Sequence, residues 1–273
     1  MVKFKKFLLC SFSILIASGW QPAFGTTNYE TITIGTGASA KTAIYEVHGY
    51  RFDVGTPVNV RIQTTRTDWA DAYGHAYSVL TTAIPGFSLQ YEDLPIWDTA
   101  PGELFPRDYF HTVAFAEIDT GDNLYDAVAI GYDIQWDPSD PNDNGTFISC
   151  ISDVYSVDFD SSTGDITGIS IGSGSIIADT CDNQTISTGL IIMNTNEWPS
   201  LFGGTPPQDM QEHWVIHEFT HLLGVGHLSI YSPTGECISM MTQTISDSPC
   251  DTMPAPTDYI DTDLELLRQL GYR

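Results

Sequence analysis

Across 273 residues the chain carries 10 Lys and Arg against 35 Asp and Glu, a formal charge of −25. Such an excess of acid excludes nucleic acid as a partner, because a phosphate backbone is held by clustered Lys and Arg. The 42% hydrophobic content is ordinary for a chain that buries a sizeable core, and the length suits one large domain or two small ones.

The first residues, Met1 to Lys6, are basic, Phe7 to Trp20 are largely apolar, and Ala23-Phe24-Gly25 offers the small residues at which a leader is cut. Residues 1–25 therefore read as a secretory signal peptide, their apolar run being shorter than the 18 or so residues of a spanning helix. Export to the extracellular medium is predicted, with the periplasm as the other compartment such a leader serves. Removal takes Lys3, Lys5 and Lys6 and no acid, so 7 basic residues face 35 acidic ones and the formal charge falls from −25 to −28. No later stretch reads as spanning a membrane, and a soluble monomer is expected. Cys10 leaves with the signal, and Cys150, Cys181, Cys237 and Cys250 remain. An even number in an exported chain predicts two disulfides. Three pairings are open, of which sequence neighbours favour Cys150 with Cys181 and Cys237 with Cys250.

The β-branched runs Thr31–Ile34 and Val58–Ile62 read as strands, with residues 26–50 as an N-terminal extension of the sheet. Asp68 looks like a helix cap, followed by Trp69, Ala72, Tyr73, Ala76 and Leu80 at helical spacing and closed by Pro85-Gly86. Phe87–Tyr91 is extended, residues 92–125 read as loops, and Ala127–Tyr132 carries the next strand. Asp140, Asn142, Asn144 and Gly145 match the first half of an EF-hand loop, but Ile151 stands where a bidentate acid belongs. Calcium and a solvated acidic turn both stay open there. Phe159–Ile166 reads as a hairpin turn, and Ser175–Ala178 and Thr188–Trp198 as extended segments. Thr205, followed by Pro206 and Pro207, fits the cap of a helix over 206–223. In the tail, Thr262 and Glu265 form a capping box, leucines recur at helical spacing, and Gly271 closes a final helix.

The helix over 206–223 carries the densest chemistry, within His217-Glu218-Phe219-Thr220-His221-Leu222-Leu223-Gly224-Val225-Gly226-His227. Residues four apart on a helix lie about 40° apart in azimuth and about 6 Å apart in rise, so His217 and His221 present two imidazoles from one face. Gly224 can take positive φ, stop the helix and turn the chain so that His227 reaches the same ion. Three imidazoles leave one position of a tetrahedral zinc open for water, the mark of a catalytic rather than a structural site. Glu218 is placed to accept a proton without ligating the metal. His213 also stands four residues before His217, but a site built on that pair leaves Glu218, Gly224 and His227 without roles. His48, His75 and His111 have no ligand-like spacing and read as structural or exposed. Five fixed residues occur by chance in such a chain on the order of once in 100,000, which decides against coincidence.

This eleven-residue motif resembles the signature of the metzincin metallopeptidases. Tightly at 217–227 and loosely over 51–273, the chain is similar to a bacterial-type matrixin, or matrix-metallopeptidase-like, catalytic domain, with an insertion at about 137–170. The resemblance implies an α+β metzincin fold: a twisted mixed five-stranded sheet, an active-site helix and a C-terminal helix. It implies a zinc-dependent endopeptidase acting on a protein or peptide substrate, in which Glu218 takes the proton of the attacking water and passes it to the leaving amine. It places a methionine turn at Ser239-Met240-Met241, with Met241 chosen by the Ser-x-Met pattern and Met240 as the alternative. It also makes Ile191, Ile192, Met193 and Asn194 the edge strand whose backbone pairs with substrate. Where astacins and serralysins have a tyrosine just after the turn, Thr242 and Gln243 stand here, and no upstream cysteine fits the matrix-metallopeptidase cysteine switch. The competing reading is a secreted binding protein or adhesin with a non-catalytic zinc site.

Overall fold

The computed structural model describes residues 28–63, 69–92, 112–118, 127–135, 146–149, 155–159, 166–171, 185–194, 203–232, 239–241 and 257–273. In chain order the strands and helices are β1 (Asn28–Ile34), β2 (Lys41–Val47), β3 (Arg51–Phe52), β4 (Val58–Gln63), α1 (Ala70–Ala83), β5 (Leu89–Glu92), β6 (Thr112–Ile118), β7 (Ala127–Gln135) and β8 (Thr146–Ser149). They continue as β9 (Tyr155–Phe159), β10 (Ile166–Ile171), β11 (Thr185–Ile186), β12 (Thr188–Asn194), α2 (Gln208–Leu222), β13 (Val225–Ser232) and α3 (Asp261–Gln269). No helix among the described residues is long and apolar enough to cross a membrane.

Among the described residues the largest sheet has six strands rather than the expected five, in the order β5-β4-β6-β12-β7-β8. Strands β5, β4, β6 and β12 run parallel, β7 runs antiparallel to β12, and β8 antiparallel to β7. Parallel neighbours need a crossover, and α1 supplies the one between β4 and β5. Its buried residues Ala72, Tyr73, Ala76, Val79, Leu80 and Ala83 recur at helical spacing and form one stripe. That stripe accounts for its packing against α2. Helix α2 is different, because buried residues occur all around it, among them Trp214, Val215, Ile216, Phe219 and Leu222. From His213 to Thr220 every residue is buried, so this part of the helix runs through the interior, while Gln208 and Asp209 at its start are exposed. The Phe219 ring lies 5.5 Å from that of Phe87 and 6.1 Å from that of Phe52. A side chain on Gly189 of β12 would stand 2.5 Å from Leu222, so this glycine permits close approach of helix and sheet.

Four sequence expectations change. Strand β12 is interior, since Gly189–Asn194 pairs with β6 on one side and Thr188–Met193 with β7 on the other. The backbone of Ile191, Ile192 and Met193 is thus paired on both sides and does not offer a substrate edge, while Asn194 pairs with β6 alone. Residues 26–50 do not extend the main sheet. Instead β1, β2 and β13 form a separate three-stranded antiparallel sheet, with β2 in the middle. Helix α2 begins at Gln208, with Pro207 as its cap, because the residue before a proline is driven extended and both Thr205 and Pro206 occupy such positions. The carboxylate that reaches back to the start of α3 belongs to Asp263, which accepts from the Ile260 N–H at 3.1 Å. Thr262 instead hydrogen-bonds the Tyr45 hydroxyl, and Glu265 pairs with Arg268.

The leader 1–25, Asp68, His111, the acidic loop from Asp140 to Gly145, Ser175–Ala178, Thr242 and all four cysteines, Cys150, Cys181, Cys237 and Cys250, lie outside the described residues. Residues 160–165 of the expected hairpin turn also lie outside the described residues, and β9 and β10 on either side pair antiparallel.

Candidate metal centre

Three structural pieces meet at the end of α2. His217 and His221 project from its last two turns. The helix stops at Leu222, and Gly224 then takes φ +85, a conformation that carries little cost only for glycine. A side chain there would also run into the carbonyl of Tyr50. The chain turns directly into β13 against β2, where Val225 is opposite Val47 and Leu228 opposite Tyr45. Three steps on β13 therefore match two on β2, which puts one extra residue in the stretch Gly226-His227. Such a bulge re-aims a side chain. It brings His227 to the helical pair, so that one ligand atom from each of His217, His221 and His227 lies within 4.8 Å of the others. A side chain on Gly226 would stand 2.6 Å from the Glu46 Cβ, so the bulge closes on β2 only with glycine at this position.

The hydrogen bonds around the rings decide what the cluster can bind. His217 Nδ1 lies 2.6 Å from the Met240 carbonyl oxygen, and His221 Nδ1 lies 2.8 Å from that of Val225. A carbonyl only accepts, so both Nδ1 atoms carry the hydrogen. The two Nε2 atoms, 3.1 Å apart, are then bare lone pairs facing each other in neutral rings. Two acceptors at that separation repel unless a proton or a cation lies between them. Burial, reinforced by the neighbouring imidazoles, holds the pKa of both His217 and His221 well below the usual histidine range, which disfavours the proton. A metal ion fits: two ligands of a tetrahedral zinc at about 2.0 to 2.1 Å are separated by about 3.3 Å. Orientation of a ligating ring through its other nitrogen is what metal sites use to fix the tautomer. Burial also lowers the pKa of His227.

Glu218 follows His217 on α2 and is buried. Met240 and Met241 are both buried, and their backbone carbonyls act at two different places. The Met240 carbonyl orients His217, while the Met241 carbonyl accepts the Leu228 N–H at 2.7 Å and fixes β13 just past His227. His213 packs with its ring centre 5.3 Å from that of His217 but does not join the three-donor cluster. His75 Nε2 lies 2.8 Å from the carbonyl oxygen of Thr257.

His48 is structural, one of the two roles expected of it, whereas Tyr50 and Tyr272 escaped the sequence reading. The His48 ring stacks on that of Tyr50, with ring centres 5.6 Å apart, and the His48 backbone N–H donates to the Gly224 carbonyl at 2.8 Å. Its pKa is lowered to about 4, by burial first and by His227 second. The last carbonyls of a helix lack intrahelical partners. Here the Tyr50 hydroxyl donates to His221 O at 2.9 Å and the Tyr272 hydroxyl to Leu223 O at 2.8 Å. No metal-ligand spacing marks these tyrosines, and only the alternation of buried Ala43, Tyr45 and Val47 along β2 hints that this strand faces a core.

Searches against protein-family models, curated proteins and solved structures returned no match.

Proposed function

We propose that the chain is an exported zinc-dependent endopeptidase of metzincin type, with His217, His221 and His227 holding the metal and Glu218 acting as general base. The observation that carries this reading is the pair of bare Nε2 atoms 3.1 Å apart with both Nδ1 atoms held by backbone carbonyls. Among the described residues the cluster offers three donors, which favours a metal with an open position over the fully enclosed ion of a binding protein or adhesin. Bound zinc supplies Lewis acidity towards the scissile carbonyl and lowers the pKa of the attacking water. Glu218, next to a ligand and shielded from bulk solvent, takes the proton from that water and delivers it to the leaving amine. The two carbonyl-held imidazoles keep their rings from turning as charge develops.

Peptide pairing as an added strand needs open backbone, which β12 does not offer. Strand β8 pairs with Tyr132–Gln135 of β7, and among the described residues no strand lies outside Ala127–Gly131. The reading therefore puts an added peptide strand against that half of β7.

The test is zinc content together with cleavage of a denatured protein mixture, by the mature chain and by Glu218→Ala. One zinc per chain in both, with cleavage lost by at least about 100-fold in the variant, is the expected outcome, since removal of a positioned acid–base group costs about 100- to 10,000-fold. Zinc in both with equal cleavage would remove Glu218 from the mechanism, and absence of zinc from both would end the proposal.

A further inference from the structure

The carboxylate of Asp263, on the first turn of α3, is 2% exposed. It accepts four hydrogen bonds, three from two distant parts of the chain and one from the start of its own helix. Its Oδ1 accepts from the Tyr45 hydroxyl at 2.6 Å and from the Ser239 hydroxyl at 2.7 Å. Its Oδ2 accepts from the Met240 N–H at 3.0 Å and from the Ile260 N–H at 3.1 Å. The Tyr45 hydroxyl is itself 2.8 Å from Thr262 Oγ1, so the strand that pairs with β13 is tied to α3 through one phenol. Burial raises the pKa of Asp263 and the four donors oppose that rise.

The order of contacts leads from this carboxylate to the metal. Asp263 holds the N–H of Met240, and the carbonyl of Met240 faces Nδ1 of His217. We infer that Asp263, with Tyr45 as its partner from the N-terminal hairpin, is the positioning residue that sets the Met240 carbonyl against His217 and thereby fixes the tautomer of that ligand. The inference rests on the zinc-site reading for its effect on metal binding, but not for its effect on the His217 ring. It makes the hairpin 28–47 part of the metal centre twice over. Strand β2 supports His227 through backbone pairing with β13, and Tyr45 on the same strand supports His217 through Asp263.

The chemistry of the substitution is specific. In Asp263→Asn one acceptor oxygen becomes an amide donor that must face two of the four donors, while the volume is unchanged. Tyr45→Phe removes a single hydroxyl and leaves the ring, so it provides the milder variant if the first folds poorly. Leu266→Ala, on the same helix at a residue 1% exposed that belongs to the apolar core, reports a purely structural loss. Two readouts are needed: the zinc dissociation constant by chelator competition, and the His217 Nδ1–H signal of the metal-free chain by nitrogen-15 NMR. Loss of a group that orients a ligand weakens metal binding about 10- to 100-fold. The expected result is a weakening of at least about tenfold in Asp263→Asn, a smaller one in Tyr45→Phe, and about twofold or less in Leu266→Ala. The His217 Nδ1–H signal should move or exchange faster in the first two variants only. Equal changes in all three, with the His217 signal unmoved, would overturn the inference. If the parent chain takes up no zinc, the peptidase reading fails, and the NMR comparison alone decides whether Asp263 positions His217.

Discussion

The helix end and the strand that follows it hold the same candidate ion by different physical means. His217 and His221 owe their alignment to the 3.6-residue turn of α2, a local property that needs no partner. His227 owes its place to β13, whose course is set by antiparallel pairing with β2, a strand that precedes it by about 180 residues. One half of the site is therefore tolerant of change in the rest of the fold, and the other half depends on it. The backbone carbonyls of Met240 and Met241 bridge the two halves, one on His217 and one on the N–H of Leu228.

The harshest way to break the difference is at the joint between the halves. Gly224→Ala forces an L side chain into φ +85 and into the Tyr50 carbonyl. Left-handed backbone alone costs about 1 to 2 kcal/mol, and a backbone oxygen has little room to yield, so a loss of about 3 kcal/mol or more is expected in chemical denaturation. Zinc should be lost with it, because the chain can no longer turn His227 back. Unchanged stability would mean that the turn is not built as described.

A milder variant separates the halves. Gly226→Ala places its Cβ against Glu46 and pushes β13 off β2 without touching α2. A stability loss of about 1 to 2 kcal/mol is expected, in the range typical of overpacking. Zinc affinity should fall more than this loss explains, whereas Leu266→Ala should cost stability without that excess. If the affinity of Gly226→Ala follows its stability alone, His227 is not held by the bulge.

The comparison also explains what could be read in advance. The spacing of His217, Glu218, His221, Gly224 and His227 is local, and so were α1, α2 and α3 to within a few residues. The pairing of β2 with β13 is not local: the alternation in Ala43, Tyr45 and Val47 says that one face is buried, not which strand lies beside it. Strand β12 was misplaced for a different reason. Leu190-Ile191-Ile192-Met193 is a continuous apolar run, which in a mixed sheet marks a strand buried on both faces, and that signal argued for the interior against the family expectation of an edge. Asp263 was invisible because an acid on the first turn of a helix has a sufficient local explanation, and its links to Tyr45, Ser239 and Met240 exist only in the folded chain.

The smallest expected effect concerns pH, and it concerns the strand side of the site. His48 titrates near 6.5 when unfolded, but in the fold its pKa is lowered to about 4, by burial first and by His227 second. Between these values the unfolded chain binds a proton that the folded chain does not. Stability then rises with pH through that window, and it is lost as pH falls from about 6.5 towards 4. His217, His221 and His227 are shifted in the same direction, so they add to the loss of stability of the metal-free chain as pH falls below 6.5, and zinc should be released as the imidazoles take up protons. His48→Gln removes one of these titrations while leaving the backbone N–H that donates to Gly224 in place. The denaturation free energy of the metal-free variant should fall less between pH 6.5 and 4 than that of the parent, with the two converging at the acid end. A variant whose pH profile runs parallel to the parent's would show that His48 is hydrated and outside the field of His227, and that the strand side is more open than its packing against Tyr50 implies.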